Sequence, residues 1–364
     1  MRVLYGVVGE GMGHAVRSRV VIAHLLQGGH SVHAVASSKA YAFLRDQFAD
    51  DPRFAVTEIA GLVLVQHDGV IDKSASLWKN LGAAPEALKH NLGVIRDVAR
   101  AIRPDVVISD YDSWAYSYAL AFDLPVVSLD NIQILDRCEH DPAVVGEPSF
   151  SSWIARMSTK VKLPGAWHYL VTTFFYPEVR KKRTTLVPPI LRPEILAAAR
   201  EPGEHVLVYQ HTDAVLALLP ALRKQSDVTF RVYGSGRTGV EGNLDLRPFS
   251  QQGFVDDLRT ARAAIAGGGF TLMGECVHLG VPLLSVPLAQ QAEQALNGAY
   301  LAHLGYGASV PELDDDAIAS FLGDVDRHTH ALAAYDRQDN ARTLELVDAL
   351  LGGIARGEPR PDTL

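Results

Sequence analysis

Short, almost uninterrupted apolar runs alternate along the chain with longer stretches whose apolar residues recur every three or four positions. The runs cover 2–8, 31–36, 54–59, 105–109 and 125–129 in the first half, and 205–209, 228–233, 263–266, 283–287 and 308–310 in the second. Runs this short and this apolar read as strands buried on both faces, the pattern of a parallel sheet. Between them lie amphipathic stretches, such as Val16, Val20, Ala23 and Leu26, or Leu88, Leu92, Ile95, Val98 and Ile102. Their spacing predicts helices there and over 40–48, 113–122, 193–199, 254–262, 314–328 and 331–351. The alternation is that of an α/β chain with two Rossmann-like, doubly wound halves.

Pro188, Pro189, Pro193 and Pro202-Gly203 interrupt the pattern midway. The predicted organisation is a first domain over 1–190, a linker over 191–203 and a second domain over 204–335. A terminal helix over 336–352 and a frayed tail over 353–364 follow. Residues 62–85, with Gln66-His67-Asp68-Gly69 and Trp78, read as an irregular loop region.

Composition narrows the class. The 364 residues are 48% hydrophobic with a formal net charge of −8, which argues against a dedicated nucleic-acid binder. Cys138 and Cys276 are the two cysteines and do not suggest a disulfide framework. Neither a signal-peptide core nor a membrane-spanning apolar run is found, so a cytoplasmic protein is expected. One region departs from the acidic average. Residues 151–187 set seven cations against Glu178 and carry Trp153, Trp167, Phe174, Phe175 and Tyr176. Two readings stand: peripheral contact with the inner face of a membrane, or a pair of packed helices with a solvated basic face. The second is preferred.

The candidate chemistry centres on 264–297. The run 263–266 ends in Gly267-Gly268-Gly269, and a helix opens at Phe270-Thr271. Glycines admit close backbone approach, and a helix N-terminus presents unpaired N–H groups to a phosphate. Glu275 lies one turn beyond Thr271, where a carboxylate can accept from ribose hydroxyls. The strand 283–287 exits into Gln290, Gln291, Glu293 and Gln294, a polar cluster suited to sugar hydroxyls. Together these residues read as a clasp for a nucleoside diphosphate with a sugar pocket beside it.

The first strand also runs into a glycine loop, Gly9-Glu10-Gly11-Met12-Gly13-His14. Its spacing is G-x-G-x-G, and the second strand ends in Ser37-Ser38 without an acidic residue for an adenosine ribose. Dinucleotide binding is therefore disfavoured. His14 instead stands at a helix start, facing the crevice. The strands over 105–109 and 125–129 deliver Asp110-Tyr111-Asp112 and Asp130-Asn131 to the carboxyl edge, where ligands bind in open α/β sheets.

The clasp with its P-x-x-x-Q-x-E-Q-x-x-N continuation, from Pro287 to Asn297, resembles the donor site of GT-B glycosyltransferases. The group is that related to lipid-II N-acetylglucosaminyltransferase and the UDP-glycosyltransferases. The loop Gly9 to His14 with Arg17, the segment Arg103 to Asp110, Leu124 to Val127 and Arg247-Pro248-Phe249 match in order. The resemblance implies two Rossmann-like domains facing across a cleft, with the last helix crossing back to the first domain. It also implies inverting transfer of a sugar from a nucleotide-sugar, UDP-linked by expectation, to an acceptor hydroxyl. The acceptor is a small molecule, a glycan or a lipid-linked sugar.

Under this reading His14 is the general base and Asp110 orients it. His211, Thr212, Phe249, Gly267, Gly268, Gly269, Phe270, Thr271, Glu275, Gln291, Glu293 and Gln294 form the donor site. Gly11, Gly13, Arg17, Asp130 and Asn131 line the acceptor side. No metal or other cofactor is expected, although Asp110-Tyr111-Asp112 forms a D-x-D. The alternatives are a UDP-sugar 2-epimerase of the same fold, with Glu293 as its acid, and a catalytically inactive nucleotide-sugar-binding protein.

Overall fold

A computed structural model describes residues 1–364 apart from 10–11, 62–65, 68–69, 72, 148–149, 211 and 290, and apart from the side chains of 66–67, 70–71, 73–85, 88, 151 and 212–213. The first half runs β1 (Arg2–Val7), α1 (Met12–Gln27), β2 (Ser31–Ala36), α2 (Ser38–Gln47), β3 (Phe54–Glu58), β4 (Gln66–His67), β5 (Val70–Ile71) and α3 (Lys73–Ala101). It continues with β6 (Val106–Asp110), α4 (Ser113–Ala121), β7 (Val126–Asp130), α5 (Ile134–Arg137), α6 (Pro142–Val145), α7 (Phe150–Lys162), β8 (His168–Thr172) and β9 (Thr184–Val187). After the short α8 (Pro193–Leu196), the second half runs β10 (Val206–Tyr209), α9 (Thr212–Lys224), β11 (Phe230–Tyr233), β12 (Gly239–Glu241), β13 (Leu244–Arg247) and α10 (Gln251–Thr260). It then adds β14 (Ala263–Ala266), α11 (Phe270–Leu279), β15 (Leu283–Ser285), α12 (Ala292–His303), β16 (Gly307–Ser309), α13 (Asp315–Gly323), α14 (Val325–Ala333) and α15 (Ala341–Ala355).

Two seven-stranded sheets result, ordered β3-β2-β1-β6-β7-β8-β9 and β12-β13-β11-β10-β14-β15-β16. The first is parallel throughout, and the second departs from parallel only at the edge pair β12–β13. Each sheet changes winding direction at its first strand: β1 lies between β2 and β6, and β10 between β11 and β14. Such switch points open a crevice at the carboxyl ends of the strands. The glycine loop before α1 and the Gly267–Gly269 turn before α11 leave the sheets at these two points.

One apolar cluster spans both halves, with Phe174, Phe175 and Leu191 beside Phe270, Met273 and Leu301. Phe174 stacks on Phe270 at 6.1 Å between ring centroids, and Phe175 on Tyr300 at 4.0 Å. The last helix, α15, returns to the first half. Its Leu346, Val347, Leu350 and Leu351 share a core with Val3, Ile22 and Leu129.

Three stretches differ from the sequence reading. Helix α3 begins at Lys73 and carries Pro85 within it, so much of the expected loop is helical. A proline removes one helical N–H and bends the ladder without always ending it. The expected helix pair within 141–187 holds α6 and α7 but also β8 and β9, which extend the first sheet. The expected helices 314–328 and 331–351 are instead three, separated at Asp324 and over 334–340.

Candidate functional site

The register pairs Val7 with Asp110, so the ends of β1 and β6 meet at the first switch point. Helix α1 starts there and carries His14 in its first turn. His14 Nδ1 lies 2.8 Å from Asp110 Oδ1. Asp110 also accepts from Arg17 Nε at 2.8 Å, from Arg17 Nη2 and from Ser18 Oγ at 3.0 Å. Residues 14, 17 and 18 share one face of α1, as i, i+3 and i+4 spacing dictates.

The carboxylate has no exposed surface, and Arg17 behind it is nearly as buried. Burial alone would push the Asp110 carboxyl up. The Arg17 charge, His14 and their hydrogen bonds outweigh burial and hold it well below the usual carboxylate range. In the tautomer with the proton on Nδ1, that nitrogen donates to Asp110 and presents no lone pair to the carboxylate oxygen. Arg17 Nη2, 2.7 Å from the same nitrogen, serves the carboxylate. This leaves Nε2 as the basic nitrogen, on a side chain 17% exposed.

At the second switch point Gly269 caps α11. Gly268 is packed too tightly for any side chain, since a Cβ there would fall 2.4 Å from Gln294 Cβ. Gln294 Oε1 accepts from the Leu288 N–H at 2.9 Å and so shapes the loop after β15. Asn297 donates to the Gly268 carbonyl at 3.1 Å and to Glu293 Oε1 at 2.7 Å. The same Glu293 oxygen accepts from Asn131 of the first half at 2.7 Å, and Asn131 Oδ1 accepts from Arg17 at 3.2 Å. One polar chain therefore links Asp110 to the glycine turn of the other half.

The two helix starts also touch. A Cβ on Gly13 would fall 2.7 Å from Thr271 Oγ1, so only glycine lets α1 approach α11 this closely. The N-termini of two helices thus converge beside His14, an electropositive corner suited to an anion.

Several expected site residues take other places. Glu275 is buried and forms a two-pronged ion pair with Arg192, both bonds 2.7 Å, instead of facing the cleft as a free ribose acceptor. Burial pushes its carboxyl up, while the two charge-assisted bonds favour the ion. Phe270 is buried and packs against Phe174. Asp130 has no exposed surface. It accepts from Ser128 Oγ and the Gln133 N–H, both at 2.9 Å, and so braces the turn after β7 without lining the acceptor side. Burial pushes its carboxyl up, reinforced by Asp110. Arg17 and Asn131 likewise stand behind the cleft as supports.

Phe249 is 61% exposed beyond the end of β13, and Gln291 is half-buried just before α12. Gly11 and His211, like the side chain of Thr212, lie outside the described residues. Ser18 and Arg192 were missed by sequence reasoning. The i+4 spacing of Ser18 from His14 was a usable signal, but Arg192 in a proline-bounded linker carried none.

The D-x-D aspartates have separate duties. Asp110 holds His14 and Arg17, while Asp112 accepts from the Ala115 N–H at 2.8 Å as the cap of α4. Among the described residues no group of three or more His, Cys, Asp or Glu is arranged to hold a metal ion. Nor, among them, is any helix long and apolar enough to cross a membrane.

Comparison with known proteins gives a consistent picture. An uncharacterized glycosyltransferase of Methanosarcina mazei is 24% identical over 360 residues, covering 89% of this chain and 90% of its own. A spinosyn rhamnosyltransferase solved with thymidine diphosphate superposes with a TM-score of 0.62 at 19% identity, over 96% of this chain and 100% of that one. A UDP-glucosyltransferase from Polygonum tinctorium gives a TM-score of 0.67 at 14% identity, over 96% and 98%. The family model described as glycosyl transferase family 1 matches residues 1–326. The chain belongs to that family, and it is a glycosyltransferase of the GT-B fold.

Proposed function

We propose that this enzyme moves a sugar from a pyrimidine nucleoside-diphosphate donor, UDP-linked by preference, to an acceptor hydroxyl, with inversion and without a metal. His14 is the general base. The support is one juxtaposition: a histidine fixed through Nδ1 by a buried carboxylate, beside two converging helix N-termini. The polarity of that corner matches the reaction, with a basic nitrogen for the acceptor proton and N–H groups for the departing diphosphate.

In this reading the acceptor oxygen attacks the anomeric carbon as its proton passes to His14 Nε2. The bond to the diphosphate breaks on the opposite face, so configuration inverts. Asp110 stabilises the imidazolium that forms, as in other carboxylate–histidine pairs. The N-terminus of α11 stabilises the charge that develops on the leaving group. The spinosyn enzyme was solved with thymidine diphosphate, and the Polygonum tinctorium enzyme is named for UDP. Both bases are pyrimidines. Glu293 and Gln291 are the sugar-side candidates, and Phe249 the candidate flank for the base. A 2-epimerase would need a free acid beside the sugar, whereas Glu293 Oε1 already accepts from two asparagines.

The test is nucleotide release from UDP-, dTDP- and GDP-sugars by the wild type and by His14→Ala, with and without EDTA. The expected result is release from one donor, insensitive to EDTA and lost in the variant while donor binding persists. Release unchanged in His14→Ala would overturn the assignment of the base. Release abolished by EDTA and restored by a divalent cation would overturn the metal-free mechanism.

A further inference from the structure

Helix α7 is amphipathic the wrong way round for a helix on a soluble surface. Its inner face carries Thr159, which is buried, and Lys162, whose Nζ lies 3.8 Å from the centre of the Tyr111 ring. Its outer face carries Phe150, Trp153, Ile154 and Val161, exposed by 76%, 56%, 47% and 74%. Spacings of three, four and seven place these four on one stripe. Phe150 and Trp153 stack on each other at 5.9 Å between centroids. A solvent-facing stripe this apolar marks a contact surface.

The charge around the stripe indicates the partner. Arg156 and Lys160, both exposed, flank it on the same helix. Arg156 also shares Asp136 with Arg180 and Lys181, so three cations meet one carboxylate and leave a positive excess. This stands out in a chain of net charge −8. A convex stripe of large aromatic and aliphatic side chains, bordered by long cationic ones, fits the headgroup boundary of an anionic bilayer.

We propose that α7 docks the enzyme on anionic membrane surfaces, with its outer stripe among the acyl chains and its flanking cations among the headgroups. The inner face then positions the site. Tyr111 follows Asp110 directly, and its hydroxyl lies 3.4 Å from Thr159 Oγ1. Docking through α7 therefore brings the acceptor side of the cleft against the bilayer, which favours acceptors that partition there. Only this last step rests on the proposed transfer reaction.

The experiment is co-sedimentation of the full chain with phosphatidylcholine vesicles and with mixed phosphatidylcholine–phosphatidylglycerol vesicles. Binding to the mixed vesicles, weakened by added salt, is expected. Phe150→Ser with Trp153→Ser should weaken it by at least about tenfold, because each ring is withdrawn from an apolar contact. Lys160→Glu keeps the stripe and should weaken it by roughly fivefold or more. All three side chains are exposed, so thermal melting should be unchanged. No binding to mixed vesicles, or binding indifferent to both variants, overturns the proposal. A dimer in solution that dissociates in the Phe150/Trp153 variant, with no vesicle binding, assigns the stripe to a second copy and also overturns it. Nucleotide release without vesicles separates the two readings: vesicle binding without release in any condition would overturn the transfer reaction and leave docking intact.

Discussion

Replacing Asp110 by asparagine tests the catalytic assignment most sharply, because the amide has no good orientation in that pocket. The carboxylate receives His14 Nδ1–H and Arg17 Nη2–H on Oδ1, and Arg17 Nε–H and Ser18 O–H on Oδ2. In either orientation the neutral amide leaves the buried Arg17 guanidinium, and any imidazolium at His14, without its counter-charge; with the amide oxygen in the Oδ1 place, its NH2 group also opposes Arg17 Nε–H. Stranding one member of a buried pair costs about 3–5 kcal/mol. For a chain of this length that is a fall in Tm of about 4–7 °C. If the amide flips, its NH2 group faces His14, which must then present a lone pair at Nδ1. The proton moves to Nε2, the nitrogen that should act as base, and kcat should fall by roughly 10²–10⁴. Either way kcat falls more than the donor KM rises. The assay is steady-state nucleotide release with melting curves, together with ¹⁵N chemical shifts of His14 to read its tautomer. A folded Asp110→Asn enzyme with kcat within about threefold of wild type would refute the reasoning.

Three further perturbations follow from the same geometry. Glu275→Gln should lower stability by about 3 kcal/mol or more in urea unfolding, whereas Glu275→Leu combined with Arg192→Met should recover most of it. Additive losses would show that the pair is not a unit. Burial pushes the Asp112 carboxyl up to about 6. Its folded value thus exceeds its unfolded one, and its contribution to stability is full in acid and lost as pH rises through about 6. Asp112→Asn retains the helix cap and should raise Tm above that pH, by at most roughly 3 kcal/mol of stability, with no gain below about pH 4. A gain that does not vary with pH would exclude this cause. Gly13→Ala should push α1 from α11 and reduce kcat/KM by about tenfold or more, as misplacement at a reacting centre does. Thr271→Ala in the same chain should return part of the loss, and strict additivity of the two effects would count against the contact.

The sheets were legible because burial on both faces leaves a mark in sequence. Runs such as 105–109 and 263–266 have no polar interruption, and a glycine turn at a run's end marks a switch point. His14 and Asp110, almost a hundred positions apart, were each readable as edge residues of such runs. What was not legible depends on packing between distant segments. Glu275 was read from its helical offset to Thr271, which fixes a face but not what covers it. The cover is Arg192, delivered by a linker whose sequence shows only prolines. Phe270 was read as part of the clasp, yet Phe174 of the other half meets it. Asp130 was correctly placed at the sheet edge, but the backbone turn that consumes its carboxylate follows it by only three residues.

The buried ties between the halves bear on how the site can work. Arg17 supports Asp110 and, through Asn131 and Glu293, touches the carbonyl side of the donor turn. On the same helix, Arg19 makes two bonds to Glu194 in the linker, two residues from the Arg192 that holds Glu275. Helix α1 is therefore tied to the second half through Asn131 and Glu293, and to the linker through Arg19 and Glu194. A rigid shift of one half against the other must break the charge-assisted Asn131–Glu293 bond. His14 and the glycine turn are held in register by the narrow Gly13–Thr271 contact. In the proposed transfer this register would let His14 act in the same step as departure of the diphosphate, since both must lie within bonding reach of one sugar at one moment.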